Sequence, residues 1–178
     1  VEAATEDYGE ANQQLDAVVT QLIVAEQGVD DATLAAAAEK AHTDDVAALL
    51  GHLGIKKASV MGYSSGGDVA LQVAIRHPEL VDKLIVIAAG FRSDGYYPEV
   101  LQAFAQMPAA APMIAAEVAK SPLATLYPSV NWETVFRKTG ELANQGYDWS
   151  ASVAGIKAPT LLVFADADAI RPEHMAEF

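Results

Sequence analysis

The sequence contains no cysteine, and this absence excludes several kinds of chemistry. A chain without thiols forms no disulfide framework, carries no thiolate nucleophile and offers no cysteine-type zinc site. Its core must therefore hold together by packing alone. The chain has 178 residues, the length of one ordinary domain. A domain of that size buries about 70% of its unfolded surface, which is enough for a core without covalent staples.

Positive charge is also scarce. The chain has 11 lysines and arginines against 24 aspartates and glutamates, a net charge of −13. A surface of that sign repels phosphates, so we expect no nucleic-acid partner. No uncharged apolar run approaches the about 18 residues of a membrane span, and the first residues lack the basic start and apolar stretch of a signal peptide. These features predict a soluble, cytoplasmic protein with no membrane partner.

The acidic side chains concentrate at the start of the chain. Residues 1–42 carry nine of them and a single basic residue, Lys40. Apolar residues at helical spacing predict an amphipathic helix over roughly 11–26, with a short buried strand at 22–25 as the alternative. Asp30 or Asp31 is then predicted to cap a second helix through the alanine-rich stretch 32–41. The change in composition indicates a domain boundary near His42.

The pattern becomes clearer after this boundary. Thr43 is predicted to cap a helix that ends at Gly54. Three apolar runs then predict buried strands, at about 58–62, 83–88 and 160–165. Continuous apolar runs of this kind are typical of strands covered on both faces in a parallel sheet. A helical pattern that ends before Pro78 separates the first two strands. We therefore expect an α/β core with right-handed crossovers and helices on both faces.

About 65 residues without a strand pattern lie between the second and third strands, and five prolines divide them. Apolar spacing predicts three short helices in this region. Their apolar positions are Val100, Leu101, Phe104 and Met107 in the first, Ile114 and Val118 in the second, and Val135, Phe136 and Leu142 in the third. We interpret residues 92–150 as a helical insertion over the sheet edge. Ordinary crossover helices are the alternative interpretation.

One stretch of the sequence indicates a catalytic site. Gly62-Tyr63-Ser64-Ser65-Gly66 lies between a predicted strand and a predicted helix, and G-x-S-x-G in that position is typical of a nucleophile elbow. The turn holds the serine in a strained backbone conformation, and the glycines two residues before and after it avoid side-chain collisions. The start of the helix supplies free amide groups beneath a developing oxyanion. A plain glycine-rich turn is the alternative.

The stretch from Asp45 to Phe91 resembles the α/β-hydrolase superfamily, in its esterase, peroxidase-like and carbon–carbon hydrolase branch. The matching pieces include the elbow and the run Arg76-His77-Pro78-Glu79-Leu80-Val81. A second match runs from Ile156 to Asp168 and continues in Arg171-Pro172-Glu173-His174. The resemblance covers roughly residues 43–178 and implies an incomplete α/β-hydrolase-like parallel sheet with a helical cap over residues 92–150. Residues 1–42 do not match, and the chain is expected to be the middle of such a hydrolase, truncated at both ends.

The resemblance also implies a reaction. Ser64 would attack small ester or related acyl substrates through an acyl-enzyme, and the backbone N–H of Ser65 would donate to the oxyanion. Asp168 would be the acid that orients a histidine, with Asp166 as its nearest rival. No cofactor and no metal is implied. Apolar side chains of the cap favour an apolar substrate group; they are Phe104, Met107, Ile114 and Leu126.

The histidine of this triad has no match in the sequence. The family order is serine, acid, histidine, and His174 is the only histidine after Asp168. We interpret His174 as a solvated surface residue, and His42, His52 and His77 as ordinary polar residues of helices away from the serine. The sequence therefore predicts an impaired hydrolase, with a catalytically silent binding module as the alternative. Because a sheet with few strands has exposed edges, we also expect a homo-oligomer or partial instability.

Overall fold

The computed structural model describes residues 31–178, and side chains from residue 42 onward. The helix predicted over 11–26 lies outside the described residues. The first described element is helix α1, Asp31–His52. It ends in two backbone hydrogen bonds, from the Ile55 N–H to the Leu50 oxygen at 2.8 Å and from the Gly54 N–H to the Gly51 oxygen at 3.1 Å. Gly54 has a φ of +67°, so the predicted glycine end of this helix is confirmed.

Thr43 does not begin a helix. It lies inside α1 with 0% of its surface exposed, so the predicted helix start at this residue is wrong. The separate helix predicted for the alanine-rich stretch and the helix predicted from Thr43 are one continuous helix, described from Asp31 to His52. Alanine has the highest helix propensity, and no glycine or proline interrupts the run. The division of the chain into domains at His42 stays a prediction.

Three strands form one parallel sheet, as predicted. They are β1, Ala58–Tyr63, β2, Val81–Ile87, and β3, Thr160–Val163, in the order β1-β2-β3. Their register brings Met61 beside Ile85 and Ile85 beside Leu161. Because successive side chains of a strand point to opposite faces, this register sorts the apolar residues into two layers.

One layer forms the core. Helix α2, Ser65–Arg76, packs against this face of the sheet, and a 3-10 turn at Pro78–Leu80 leads from it into β2. The buried apolar residues of the core are Ala70, Leu71, Val73, Ala74, Val81, Leu84, Val86 and Ala89. Full burial of a side chain such as Leu71 or Leu84 stabilises a fold by about 1.5–3 kcal/mol. The core therefore fixes the sheet and the helix that follows the elbow as one body.

The other layer is largely exposed within residues 31–178, and we call it the open face. Its residues are Met61, Tyr63, Ile85, Ile87, Leu161 and Val163. Met61 is 68% exposed, Tyr63 69% and Leu161 56%. In the part of the chain that the structure describes, the prediction of helices on both faces of the sheet is therefore wrong. Parallel sheets are almost always covered on both sides, so the open face is unusual.

The region between β2 and β3 is helical, as predicted. It contains a 3-10 turn at Ser93–Gly95 and helices α3 to α6, and helix α7 follows β3. The helices are α3, Pro98–Val118, α4, Pro122–Leu126, α5, Trp132–Ala143, α6, Ser150–Val153, and α7, Pro172–Glu177. Helices α3 and α5 pack against each other. The first two helices predicted here are a single helix, because α3 continues through Pro108 and Pro112.

Pro108 stays inside α3 because its neighbours compensate for it. Proline has no N–H, so the carbonyl of Phe104, one turn earlier, loses its usual helical partner. The side-chain amide of Asn144 donates to this oxygen at 3.3 Å. Gly140 of α5 lies against the proline ring, where an added Cβ would fall 2.5 Å from the Pro108 Cδ. The close approach of α5 thus supplies the hydrogen-bond donor that the Phe104 carbonyl loses to Pro108.

None of the helices within residues 31–178 combines the length and the apolar character that crossing a membrane requires.

Candidate active site

Ser64 lies at the turn between β1 and α2 in a strained conformation. Its φ is 53° and its ψ is −127°, a region that residues other than glycine rarely enter and that costs about 1–3 kcal/mol. Backbone hydrogen bonds hold it there: its N–H donates to the Ile87 oxygen at 2.8 Å, and its oxygen accepts the Gly67 N–H at 2.7 Å. The residue is exposed. The turn therefore presents the Ser64 hydroxyl to solvent at the carboxyl end of the sheet.

Two glycines make this turn possible. A Cβ at Gly62 would overlap the carbonyl oxygen of Gly66, so the predicted need for glycine at position 62 is confirmed. Gly66 itself has open space around its Cα, so the collision predicted there is wrong. The second constrained glycine is Gly67, where an added Cβ would fall 2.5 Å from the Cβ of Ala89. The elbow thus depends on Gly62 and Gly67, because α2 crosses β1 and the end of β2 at very short range.

Ser65 is the first residue of α2, directly after Ser64. Its backbone N–H has no backbone acceptor among the described residues. Such N–H groups at a helix start carry partial positive charge. The arrangement is what an oxyanion requires, a free donor fixed beside an exposed hydroxyl. The role of Ser65 as oxyanion donor stays a prediction.

Asp168 lies in the loop that follows β3. One carboxylate oxygen accepts the Ala165 N–H at 3.2 Å and the other accepts the Ile170 N–H at 3.3 Å. The residue is half-buried, whereas Asp166 is exposed. Since β1 and β3 flank β2, their carboxyl ends lie about 10 Å apart at the same edge of the sheet. The loops that carry Ser64 and Asp168 therefore open at one edge, and Asp168 is the better held of the two aspartates.

The loop after β2 is tied to the Asp168 loop by its backbone. The Tyr97 N–H donates to the Ala169 oxygen at 3.1 Å, and the Arg171 N–H donates to the Gly95 oxygen at 2.9 Å. Tyr96 pairs with Ile170 between these two bonds. The position of Asp168 therefore depends on the loop after β2 as well as on β3.

Tyr96 is a residue of this region that the sequence did not indicate. Burial raises the pKa of its phenol, and the nearby carboxylates of Asp68 and Asp168 raise it further. The phenol is therefore neutral, and it is hydrogen-bonded to the Tyr147 side chain and the Gly90 backbone. Its place arises from the pairing with Ile170, a contact between distant parts of the chain. Two tyrosines before a proline give no sequence signal for such a contact.

His174 is buried, with 1% of its surface exposed, so its interpretation as a solvated surface residue is wrong. Its ring stacks on Phe91 with 4.2 Å between centroids, and its Nε2 accepts the Phe91 N–H at 3.2 Å. The Nδ1 atom is buried without a hydrogen-bond partner among the described residues. Burial lowers the pKa of the imidazole, which is therefore neutral at pH 7. Neither ring nitrogen bonds to Ser64, so His174 is not placed to take its proton.

The other three histidines are ordinary polar residues, as predicted. His77 caps the far end of α2, about 18 Å along the helix from Ser64, and its Nε2 lies 3.2 Å from an oxygen of Asp44. His42 and His52 are exposed on α1. No histidine within residues 42–178 is hydrogen-bonded to Ser64.

The apolar residues predicted to line a substrate site are dispersed. The ring of Phe104 meets Tyr96 edge-on at 5.8 Å, which brings it towards the candidate site. Met107 instead packs against Gly140, and Leu126 is 69% exposed. An open cavity of about 490 Å³ is lined by Lys120, Ser121, Pro122, Thr125 and Leu126, none of which belongs to the site. Within the described residues, no three acidic or histidine side chains cluster in a way that could hold a metal ion.

Comparison with known proteins gives a match over most of the chain. The sequence profile of the family described as "alpha/beta hydrolase fold" matches residues 27–172. Two curated relatives match shorter stretches. A homoserine O-acetyltransferase of Thermus thermophilus is 56% identical over 46 residues, which are 26% of this chain and 12% of that protein. RutD of Caulobacter sp. (strain K31), named as a carbamate hydrolase, is 39% identical over 51 residues, 29% of this chain and 19% of that protein.

Solved structures give the same picture for the fold. MGS-M2, an alpha/beta hydrolase enzyme from a Medee basin deep-sea metagenome library, has a TM-score of 0.57 and 20% identity. The alignment covers 78% of this chain and 58% of that one. A hydrolase from Pseudomonas aeruginosa has a TM-score of 0.52 and 21% identity, over 76% of this chain and 57% of that one. The chain therefore spans less than two thirds of these structures and a much smaller share of the curated relatives.

Proposed function

The chain belongs to the α/β-hydrolase fold family, and on that premise we propose that it is a serine hydrolase that acts on small ester or related acyl substrates through an acyl-enzyme. The observation that carries the proposal is the backbone of Ser64. Its positive φ is held by the Ile87 and Gly67 hydrogen bonds, and it presents an exposed hydroxyl beside the free N–H of Ser65. Strained backbone of this kind persists where the surrounding structure enforces it, and such positions cluster at active sites.

The proposed reaction assigns one role to each residue. The Ser64 oxygen attacks the acyl carbonyl, a bond forms to carbon, and the negative charge that develops on the carbonyl oxygen is stabilised by the Ser65 N–H. Collapse of this intermediate expels the alcohol, which takes the proton that the serine hydroxyl gives up, and water then hydrolyses the acyl-enzyme to the free acid and the serine hydroxyl. Asp168 is the proposed acid that orients the imidazole of the proton carrier.

We propose that the 178-residue chain is impaired because none of its four histidines fills the role of base. His174 uses its Nε2 to accept the Phe91 N–H, and His77 lies at the far end of α2. A positioned acid or base contributes about 10²–10⁴-fold to rate. Acylation of Ser64 should therefore be slow but measurable, since oxyanion stabilisation alone leaves residual catalysis.

A serine-directed fluorophosphonate tests the nucleophile. The serine oxygen forms a bond to phosphorus as fluoride leaves, which adds a fixed mass to the chain. We expect labelling of the wild type, loss of labelling in Ser64→Ala, and retention in Ser65→Ala, which keeps its backbone N–H. Intact-mass spectrometry reads all three. Labelling that persists in Ser64→Ala overturns the assignment of the nucleophile.

Added imidazole tests the absent base. If Asp168 and Ser64 are positioned to bind an imidazole between them, free imidazole should raise the rate at which Ser64 hydrolyses a chromogenic acetate ester. The expected increase is about tenfold or more above the direct reaction of imidazole with the ester, since acid–base catalysis contributes at least that much. Ser64→Ala gives the background rate. An increase that is equal in Ser64→Ala and wild type contradicts the proposal of an incomplete triad.

A catalytically silent binding module is the second candidate. The observation in its favour is the engagement of His174 and His77 in contacts away from Ser64. It predicts a folded protein that the fluorophosphonate does not label. Free imidazole should then leave its ester hydrolysis at the rate of Ser64→Ala. Folding of the sample is checked by circular dichroism before either reagent is used.

The helices between β2 and β3 are proposed as a cap over the substrate, with Phe104 as an apolar residue of the cap that contacts Tyr96. A small molecule with an apolar acyl or alcohol group fits this surface best. The cytoplasmic location stays a prediction.

Association with a second copy of the chain is the remaining proposal. Among the described strands, β1 and β3 lie at the two edges of the sheet, and the open face exposes Met61, Tyr63 and Leu161. Unprotected edges and apolar faces of this kind favour pairing between chains.

A further inference from the structure

His174 lies at the junction of the two loops that flank the candidate site. It belongs to α7, the helix that follows the Asp168 loop, and it packs into the loop after β2. A Cβ at Gly90 would fall 3.1 Å from its Nε2, and a Cβ at Gly95 would fall 2.5 Å from its Cγ. The ring is thus enclosed by two glycines and stacked on Phe91. No other side chain of α7 is as deeply buried.

We propose that His174 is a positioning residue, which as a neutral imidazole accepts the Phe91 N–H and thereby fixes the Asp168 loop against the loop after β2. The inference rests on the proposed function in one respect, the role of Asp168 as the acid. The remainder of the argument concerns the two loops themselves.

The hydrogen bond defines which side chain can fill this place. Because Nε2 accepts the Phe91 N–H, the neutral ring carries its proton on Nδ1, which finds no acceptor among the described residues. Buried donors without a partner are rare and unfavourable. The site leaves the Nδ1 donor without a hydrogen bond and retains Nε2 as the acceptor for the Phe91 N–H. Phenylalanine would keep the stack but leave the Phe91 N–H unpaired, so the acceptor is the feature to test.

A second set of contacts holds α7 on the same loop. Arg92 donates to both carboxylate oxygens of Glu177, at 2.7 and 2.8 Å, and to Asp94 at 2.7 Å. Arg171 donates from its backbone to Gly95. The charged groups that surround His174 are therefore Arg92, Asp94, Arg171 and Glu177, two of each sign. A proton on Nε2 would face the Phe91 N–H, donor against donor, so protonation and loss of the acceptor have the same consequence.

Amide hydrogen exchange tests the inference. The N–H groups of Ala165 and Ile170 donate to Asp168, so their exchange rates report how firmly the Asp168 loop is held. We expect His174→Phe to raise both rates by about tenfold, while the ratio to core amides such as Leu84 corrects for any loss of global stability. His174→Gln, which returns an acceptor, should restore slow exchange. Glu173→Gln changes an exposed residue of the same helix and serves as the control.

Nuclear magnetic resonance gives the matching signature. The Phe91 amide nitrogen and the His174 Nε2 should show a scalar coupling across their hydrogen bond in the wild type. It should disappear on acidification together with the slow exchange of Ile170. A wild type without the coupling, or a His174→Phe variant whose normalised rates at Ala165 and Ile170 equal those of the wild type, overturns the proposal. If both signatures are found but the fluorophosphonate labels no serine, the positioning role stands and the proposed function falls.

Discussion

Gly62 and Gly66 lie so close that a methyl group on the first would overlap the carbonyl oxygen of the second. This contact joins the end of β1 to the first turn of α2, on either side of Ser64. The strained serine is therefore held between two backbone segments with no space for a side chain between them. The elbow is accordingly a rigid feature, in which a small change on one side of the serine must displace the other.

Gly62→Ala should therefore destabilise the fold severely. The added methyl meets backbone atoms, which cannot rotate away, so we expect a loss of more than about 3 kcal/mol in the free energy of unfolding. Gly66→Ala is the matched control, because its methyl enters open space inside a helix and should be neutral or stabilising by up to about 1 kcal/mol. Urea denaturation of both variants provides the measurement. Equal stabilities would show that the turn can open without cost.

The buried neutral His174 predicts a dependence of stability on pH. Burial lowers its pKa from the ordinary value of 6.5, so the unfolded chain takes up the proton before the folded chain does. The free energy of unfolding should thus be constant above about pH 7 and fall as the pH drops below 6.5 towards the folded-state pKa.

Urea denaturation between pH 7.5 and about 5 measures this decline, since most carboxylates titrate below that range. His174→Gln should give a flatter profile, because the titrating group is gone. His52→Gln removes an exposed histidine and should follow the wild type. A wild-type stability profile as flat as that of His174→Gln would contradict the prediction.

Gly140 should limit the packing of the helical region. An added Cβ there would fall 2.5 Å from the Pro108 Cδ and 2.9 Å from the Met107 Cβ, so Gly140→Ala pushes α5 away from α3. We expect a cost of about 1–3 kcal/mol, the usual range for overpacking. Gly51→Ala in α1 adds the same methyl in open space and should be neutral or stabilising. Thermal unfolding of the two variants provides the measurement. A similar midpoint for Gly140→Ala and Gly51→Ala would contradict the close packing of α3 and α5.

The open face should govern association. Leu161→Thr replaces an apolar side chain on this face by a polar one that favours strands, so it should lower the mass found by light scattering and the binding of a hydrophobic dye. Leu126→Thr makes the same change at a residue that is 69% exposed on α4, and serves as the control. If Leu126→Thr lowers the mass as much as Leu161→Thr does, the open face is not the region of contact.

The sequence alone was sufficient to predict the three strands and the elbow at Ser64. Each strand is a continuous apolar run with its own boundaries, and the strand before Ser64 and the helix after it leave only one position for the serine. Such features are local, because residues close in the chain determine them. Asp168, in contrast, was singled out by the resemblance to the family, since the local pattern after β3 does not distinguish it from Asp166.

One prediction was wrong for a local reason: Thr43 carries the signal of a helix start, but the alanine-rich stretch before it continues the helix through this residue. Two others were wrong where distant contacts decide. Pro108 carries the signal of a helix break, but Asn144 and Gly140 of another helix compensate for it. His174 is polar and near a helix start, but Phe91 buries it. None of these partners is near in sequence, so periodicity and capping rules do not reveal them.

The two ends of the helical region meet at Ser93 and Tyr147. The Ser93 N–H donates to the Tyr147 oxygen at 3.0 Å, and the Tyr147 N–H donates to the Ser93 hydroxyl at 3.1 Å. All the chain between them leaves the sheet and returns to the same point. Gly95, Tyr96 and Tyr97 bind the Asp168 loop, so it is the helices after them, α3 to α5, that can change in length or composition without displacing it. These helices therefore form an excursion attached to the sheet at one point, which can be exchanged while the strands and the loops after them keep their places.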